Sequence, residues 1–171
     1  MGFTLVSDYF LVLIHNNLVG VFTFCFVHIT YIFRVSNDRR QSLEWVLAPF
    51  LAGGFFYFVL GASVPLIGIL AVIYGTLFGV NIAEHIKYYR SAKADALPMT
   101  NRRIMLAGLI LFALCDIHVL MFNLPHYLPQ VPQAVGEWGR MWIWVFYAPS
   151  QLLLAVSAAR WDSRYSYTNH K

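Results

Sequence analysis

Two aspartates stand where a carboxylate is expensive. Asp116 lies twelve residues into an apolar run, 104–122, and Asp8 lies in the apolar stretch SDYFLVLI. A charged carboxylate in hydrocarbon costs several kcal/mol, so each must face protein or water, and the neutral acid is the cheaper form. A neutral acid can deliver a proton, and a second carboxylate can take one from water. The surroundings of the two are alike. Ser7-Asp8 and Cys115-Asp116 are each followed by six mostly apolar residues and then a polar one, His15 or Asn123. That polar residue is seven positions after the Asp, close to the same helix face. Counting back from it at about 1.5 Å per residue puts both carboxyls roughly 10 Å below the outer membrane surface. On neighbouring helices they would form an acid/base pair, since like charges in one apolar layer cannot both ionise easily. The plainer alternative is an interhelical hydrogen bond for Asp116 and a reach to the interface for Asp8.

Other polar side chains fall at comparable depth. On a helix running inward from Leu18, His28 sits about 15 Å down, and on the last helix Gln151 sits about 20 Å down from Trp138. Tyr147 is one turn above Gln151 on the same face. Together these describe a polar cavity inside a bundle. Against that stand a histidine bonded to a backbone carbonyl and a glutamine serving as helix glue. Asn81, Glu84 and His85 approach the basic end of their helix and read as solvated. Gly75 and Gly79 form a Gly-x3-Gly pattern typical of helix contact, Gly53-Gly54 reads as another close-packing site, and Pro49 and Pro149 read as kinks. Cys25 and Cys115 lie in apolar stretches as small hydrophobes, and no disulfide framework, metal motif or cofactor loop is expected.

The elements that hold these residues follow from composition. Of 171 residues, 59% are hydrophobic and only 12% charged, with mean hydropathy +0.60. A soluble domain carries roughly 25% charged residues, so nucleic-acid binders and soluble enzymes are excluded. The expectation is an all-α polytopic membrane bundle forming a single domain over 1–171. Four apolar segments are evident, at 46–60, 64–83, 104–122 and 138–159. The stretch 3–33 exceeds one span and is interrupted by His15-Asn16-Asn17, which reads as a tight turn between helices 3–14 and 18–34. Six helices result, the first one short; a single span over 9–33 would give five.

Charge sets the orientation. Arg34, Arg39 and Arg40, then Lys87, Arg90, Lys93, Arg102 and Arg103, and finally Arg160, Arg164 and Lys171 make 11 of the 12 basic residues, in segments that alternate to one face. The positive-inside rule makes that face cytoplasmic, with both termini inside for six helices and the N-terminus outside for five. Trp138, Trp142, Trp144 and Tyr147, with Trp161 at the far end, read as interfacial belts or lipid-facing bulk. The start, MGFTLVSDYF, has no basic n-region of a cleaved signal, so insertion is expected to rely on the spans.

Four motifs in the same order resemble the YhhN/lysoplasmalogenase family of multi-pass membrane proteins. Gly108-x3-Phe112-x2-Cys115-Asp116 is similar to the family's Gly-x3-Phe-x2-Ser-Asp stretch, with Cys115 in place of Ser. Gly20 to Phe24, His28 and Tyr31 match its Gly-x3-Phe-x3-His-x2-Tyr helix; Tyr147-x3-Gln151-Leu-Leu matches its final helix, and Ser7-Asp8 its earlier Asp motif. The chain begins where the family's third span begins, so the first two spans are expected to be missing. The resemblance implies hydrolysis of the vinyl ether bond of a lysoplasmalogen to a fatty aldehyde and a glycerophospho-alcohol. It implies catalysis by Asp8 and Asp116, and a substrate lined by His28, Tyr31, Asn123, Tyr147 and Gln151. The expected partners are a lysophospholipid substrate and membrane lipids, with no nucleic acid, in a bacterial plasma membrane or the endoplasmic reticulum. The rival reading is non-enzymatic: a small transporter, lipid-binding bundle or assembly protein using the polar layer as a relay.

Overall fold

The computed structural model describes residues 2–36, 38–61, 64–90 and 97–159, and everything regular in them is helical. Contacts gather into two compact units, Met1–Arg90 and Ser91–Lys171. The basic residues Lys93, Arg160, Arg164 and Lys171 and the aromatic Trp161 lie outside the described residues.

In the first unit, helix α1 spans Gly2–Asp8 and continues as a π-helical segment over Tyr9–Leu13. Then the chain turns. His15 takes a positive φ of 56°, and the side chain of Asn16 caps the next helix by accepting from the Val19 N–H at 3.1 Å. This turn divides 3–33 into two helices and removes the single span over 9–33; Asn17 is already the first residue of α2 (Asn17–Val35). Antiparallel α1 and α2 stack Phe3 on Phe26 with 5.7 Å between ring centroids and place Ser7 Oγ 2.8 Å from Thr23 Oγ1. Leu11 fills the notch that Gly20 leaves, where a Cβ would overlap it. Helix α3 (Arg39–Leu60) starts at Asp38, whose carboxylate accepts from the N–H groups of Arg40 and Gln41, and ends at Gly61 with φ 57°. Helix α4 (Leu66–Arg90) lies mainly against α2 and less against α3. Cys25 and Ile32 of α2, Val46 of α3, and Leu70, Ile73 and Leu77 of α4 form the core.

The second unit is a helical hairpin of α5 (Met99–Tyr127) and α6 (Gln133–Val156). Small residues let the backbones approach: a Cβ on Gly139 would sit 2.7 Å from both His118 O and Phe122 N, and one on Gly108 would meet Leu154 at 3.0 Å. At the other end, the buried Asn101 amide donates to the carbonyls of Ser157 (3.1 Å) and Ala159, tying the end of α6 to the start of α5.

Helices α2 to α5 are each long and apolar enough to cross a membrane. At about 1.5 Å per residue even the 19 residues of α2 match a hydrocarbon core near 30 Å. Helix α6 is as long but carries Gln133, Glu137, Arg140 and Gln151, and α1 with its π segment is short. The described residues hold six helices, four of them long and apolar enough to span, and make this an all-helical membrane protein, as composition and charge lead one to expect. Its helices overrun the apolar segments at α3, α4 and α5, starting at Arg39 where the run begins at 46, and ending at Arg90 and Tyr127 where the runs end at 83 and 122. Apolarity measures the hydrocarbon layer, whereas a helix continues through the interface as long as its backbone bonds can. The Gly75 and Gly79 expectation is corrected: neither has anything within 4 Å of an added Cβ, because both face away from the α2–α4 seam. Gly53 does pack closely, against Ile73, while Gly54 is open. Helices run through Pro49 and Pro149.

Candidate functional site

Asp8 is the last residue of α1 and the position from which the π segment departs. Wider turns of this kind are rare in helices and concentrate at functional sites. The preceding Ser7 is fully buried, and Asp8 is half-buried. Asp116 has the same setting, half-buried behind Cys115 at 2% exposure. The small residue in each motif is therefore the one that packs, which turns the following Asp toward the edge of its helix pair.

Elsewhere among the described residues, acids sit at helix ends. Asp38 caps α3, Glu44 pairs with Arg40 at 3.4 Å, Glu84 pairs with Lys87 at 2.7 Å, and Glu137 is exposed in the second turn of α6. Asp8 and Asp116 alone in this set have apolar helix on both sides.

The depth estimate needs one correction. Asn123 does not end its helix, since its side-chain N–H donates to Val119 O at 2.7 Å and α5 runs on to Tyr127. The Val119 carbonyl has two lone pairs, so it can take this side-chain bond alongside its ladder bond. Asp116 is thus roughly 16 Å from the helix end, and only the ends of the apolar runs, Ile14 and Phe122, still put the two aspartates at equal counts.

In the first unit His28 and Tyr31 come together with Asn81 and His85, which are buried and not solvated as their place near the basic end suggests. Asn81 is 0% and His85 1% exposed, both inside the α2–α4 seam. The Asn81 Nδ2 donates to His28 Nδ1 at 3.1 Å, and the His85 Nδ1–H donates to the Asn81 carbonyl at 2.8 Å. His28 is stacked on Phe78 at 4.7 Å and tilted against Tyr74 at 4.9 Å, while Tyr31 meets His85 edge-on at 6.4 Å. The signal was in the spacing. Leu70, Ile73, Leu77, Asn81 and His85 recur at three- and four-residue steps, so the buried face of α4 carries straight on into its polar end. Asp8 is not part of this cluster: Ser7 is level with Thr23, which leaves Asp8 on the order of 9 Å along the axis from His28.

In the second unit Tyr147 lies against Phe112 at 6.1 Å, and Gln151 Oε1 is buried without a hydrogen-bond partner. His118 has no sequence signal of its own beyond its place two residues after Asp116. Its Nδ1–H donates to Leu114 O at 2.7 Å, and its ring is surrounded by Trp138, Trp142 and Phe146 at 5.6, 6.5 and 5.0 Å. Trp138 and Trp142 thus pack on protein as well as facing outward, which refines the belt reading.

No curated protein and no solved structure gives a match. The profile of the YhhN family matches residues 1–158, a span that takes in both units, both Ser/Cys-Asp motifs, the His28 helix and the Tyr147–Gln151 helix. The chain belongs to the YhhN family.

Proposed function

We propose that the protein is a membrane-embedded hydrolase of the vinyl ether bond of lysoplasmalogens, with Asp8 and Asp116 as its acid and base. The observation that carries this reading is the shared setting of these two acids: each follows a buried small residue, and each has apolar helix on both sides. Family membership supports the lysoplasmalogenase-like class.

The chemistry needs those two groups. A protonated carboxyl adds a proton to the β-carbon of the vinyl ether, giving an oxocarbenium ion. The second carboxylate stabilises the cation and takes a proton from the water that attacks the ether-bearing carbon. The hemiacetal then breaks its bond to the glycerol oxygen, which leaves protonated, and the products are a fatty aldehyde and a glycerophospho-alcohol. One water is consumed and no net proton. His28, Tyr31, Asn123, Tyr147 and Gln151 are proposed to bind the substrate, which is a lysophospholipid drawn from the surrounding membrane, bacterial plasma membrane or endoplasmic reticulum. Gln151 is the best placed of them to receive a donor, with its oxygen buried and unmatched.

Purified protein in detergent, with no gradient, is mixed with a lysoplasmalogen and separately with a saturated ether analogue of equal chain length. Aldehyde from the vinyl ether alone is the expected result. A transporter or assembly protein would release none from either. In deuterium oxide the aldehyde should carry a solvent deuterium on the carbon next to the carbonyl, where protonation occurs.

A further inference from the structure

Two acceptors in the α2–α4 seam have no protein donor. The Asn81 Nδ2 is held by His28, which leaves Asn81 Oδ1, and the His85 Nδ1–H is held by a carbonyl, which makes Nε2 of the neutral ring an acceptor. Both Asn81 Oδ1 and His85 Nε2 are buried and bond no protein group. A buried acceptor left bare costs about 1–3 kcal/mol, so a small donor is called for. The residues are one turn apart on the same side of α4. One helical turn further, the seam opens into a crevice of about 130 Å³ lined by Ser36, Asp38, Gln41, Glu84, Lys87 and Tyr88. That volume holds several waters, at about 30 Å³ each in the liquid. Tyr88 is three residues beyond His85, and Val35, four beyond Tyr31, lines the same opening, so both helices lead from the buried cluster to the crevice.

We infer that the Asn81–His85 face is a water-binding column, opening at the basic end of the first unit and reaching inward to His28, through which the water consumed in hydrolysis enters the protein. Water is the occupant that fits. It donates to both acceptors and accepts in turn. The delivery role rests on the hydrolase reading, whereas the column itself does not.

Hydroxyl-radical footprinting by X-ray radiolysis of the full chain in detergent separates these claims, because radicals form from waters held beside side chains. Tyr31 and His85, both buried, should be modified at rates comparable with Tyr88 in the crevice, while the equally buried Phe112 of the second unit stays unmodified. Protection of both Tyr31 and His85 in the wild type would overturn the column without recourse to any variant. The Asn81→Leu, His85→Phe double variant should lose labelling at Tyr31 while keeping it at Tyr88, and His85→Gln, which retains an acceptor, should keep both. Aldehyde release should fall through kcat in the double variant and recover in His85→Gln. Unchanged kcat in a double variant that has lost its labelling would overturn delivery. A wild type that labels as expected but releases no aldehyde fails the hydrolase reading and leaves the column standing.

Discussion

Asn81 sits at the centre of the buried polar cluster: its side-chain amide fixes the ring of His28 on α2, and its backbone carbonyl receives His85. Replacing it with leucine takes away the donor to a buried imidazole nitrogen, a loss of about 1–3 kcal/mol. The expected outcome is a lower melting temperature in detergent for Asn81→Leu, with much of the loss recovered when His28→Phe is added, because removing both partners of a buried bond is far cheaper than removing one. An additive double variant would show that the two side chains are not energetically coupled. Sequence made His28 visible and hid its partner. Asn81 and His85 are polar and near a basic end, which suggests solvent; only their register with Leu70, Ile73 and Leu77 shows that they face inward.

At the scale of elements, the hairpin of α5 and α6 depends on missing side chains. A Cβ on Gly139 would lie 2.7 Å from two backbone atoms of α5, neither of which can swing aside. Gly139→Val should therefore force the helices apart at a cost of about 1–3 kcal/mol or more, read as a lower melting temperature and broadened gel filtration. Gly75→Ala, with nothing within 4 Å, should leave both unchanged. The Gly-x3-Gly spacing drew attention to the wrong pair because spacing says which residues share a face and nothing about what covers that face. The element boundaries were legible where a polar trio broke the chain, at His15 to Asn17, and at Leu60, where the apolar run and α3 end together. The π segment after Asp8 had no sequence signature at all, since its residues, YFLVL, would equally suit an α-helix.

For the whole molecule, the basic residues of the first unit gather at one end, Arg34 at the close of α2, Arg39 and Arg40 at the start of α3, and Lys87 and Arg90 at the close of α4. That end should face the cytoplasm. We propose that all six helices cross the membrane, so single cysteines placed at Gly2 and Asn169, in a background where buried Cys25 and Cys115 are replaced, should react with an impermeant reagent from the same side of sealed vesicles. Labelling from opposite sides would mean an odd number of crossings. Composition and charge carried the class and the alternation of loops; they carried no chemistry, and the proposed chemistry rests on Asp8 and Asp116. The most direct measurement is therefore the initial rate of aldehyde release from a lysoplasmalogen by the purified wild type, Asp8→Asn and Asp116→Asn, each shown to be folded and monodisperse. Loss of a general acid or base is worth roughly 10²–10⁴-fold, and a fall of that order in both variants is the expected result. Wild-type turnover in either would contradict the two-aspartate mechanism.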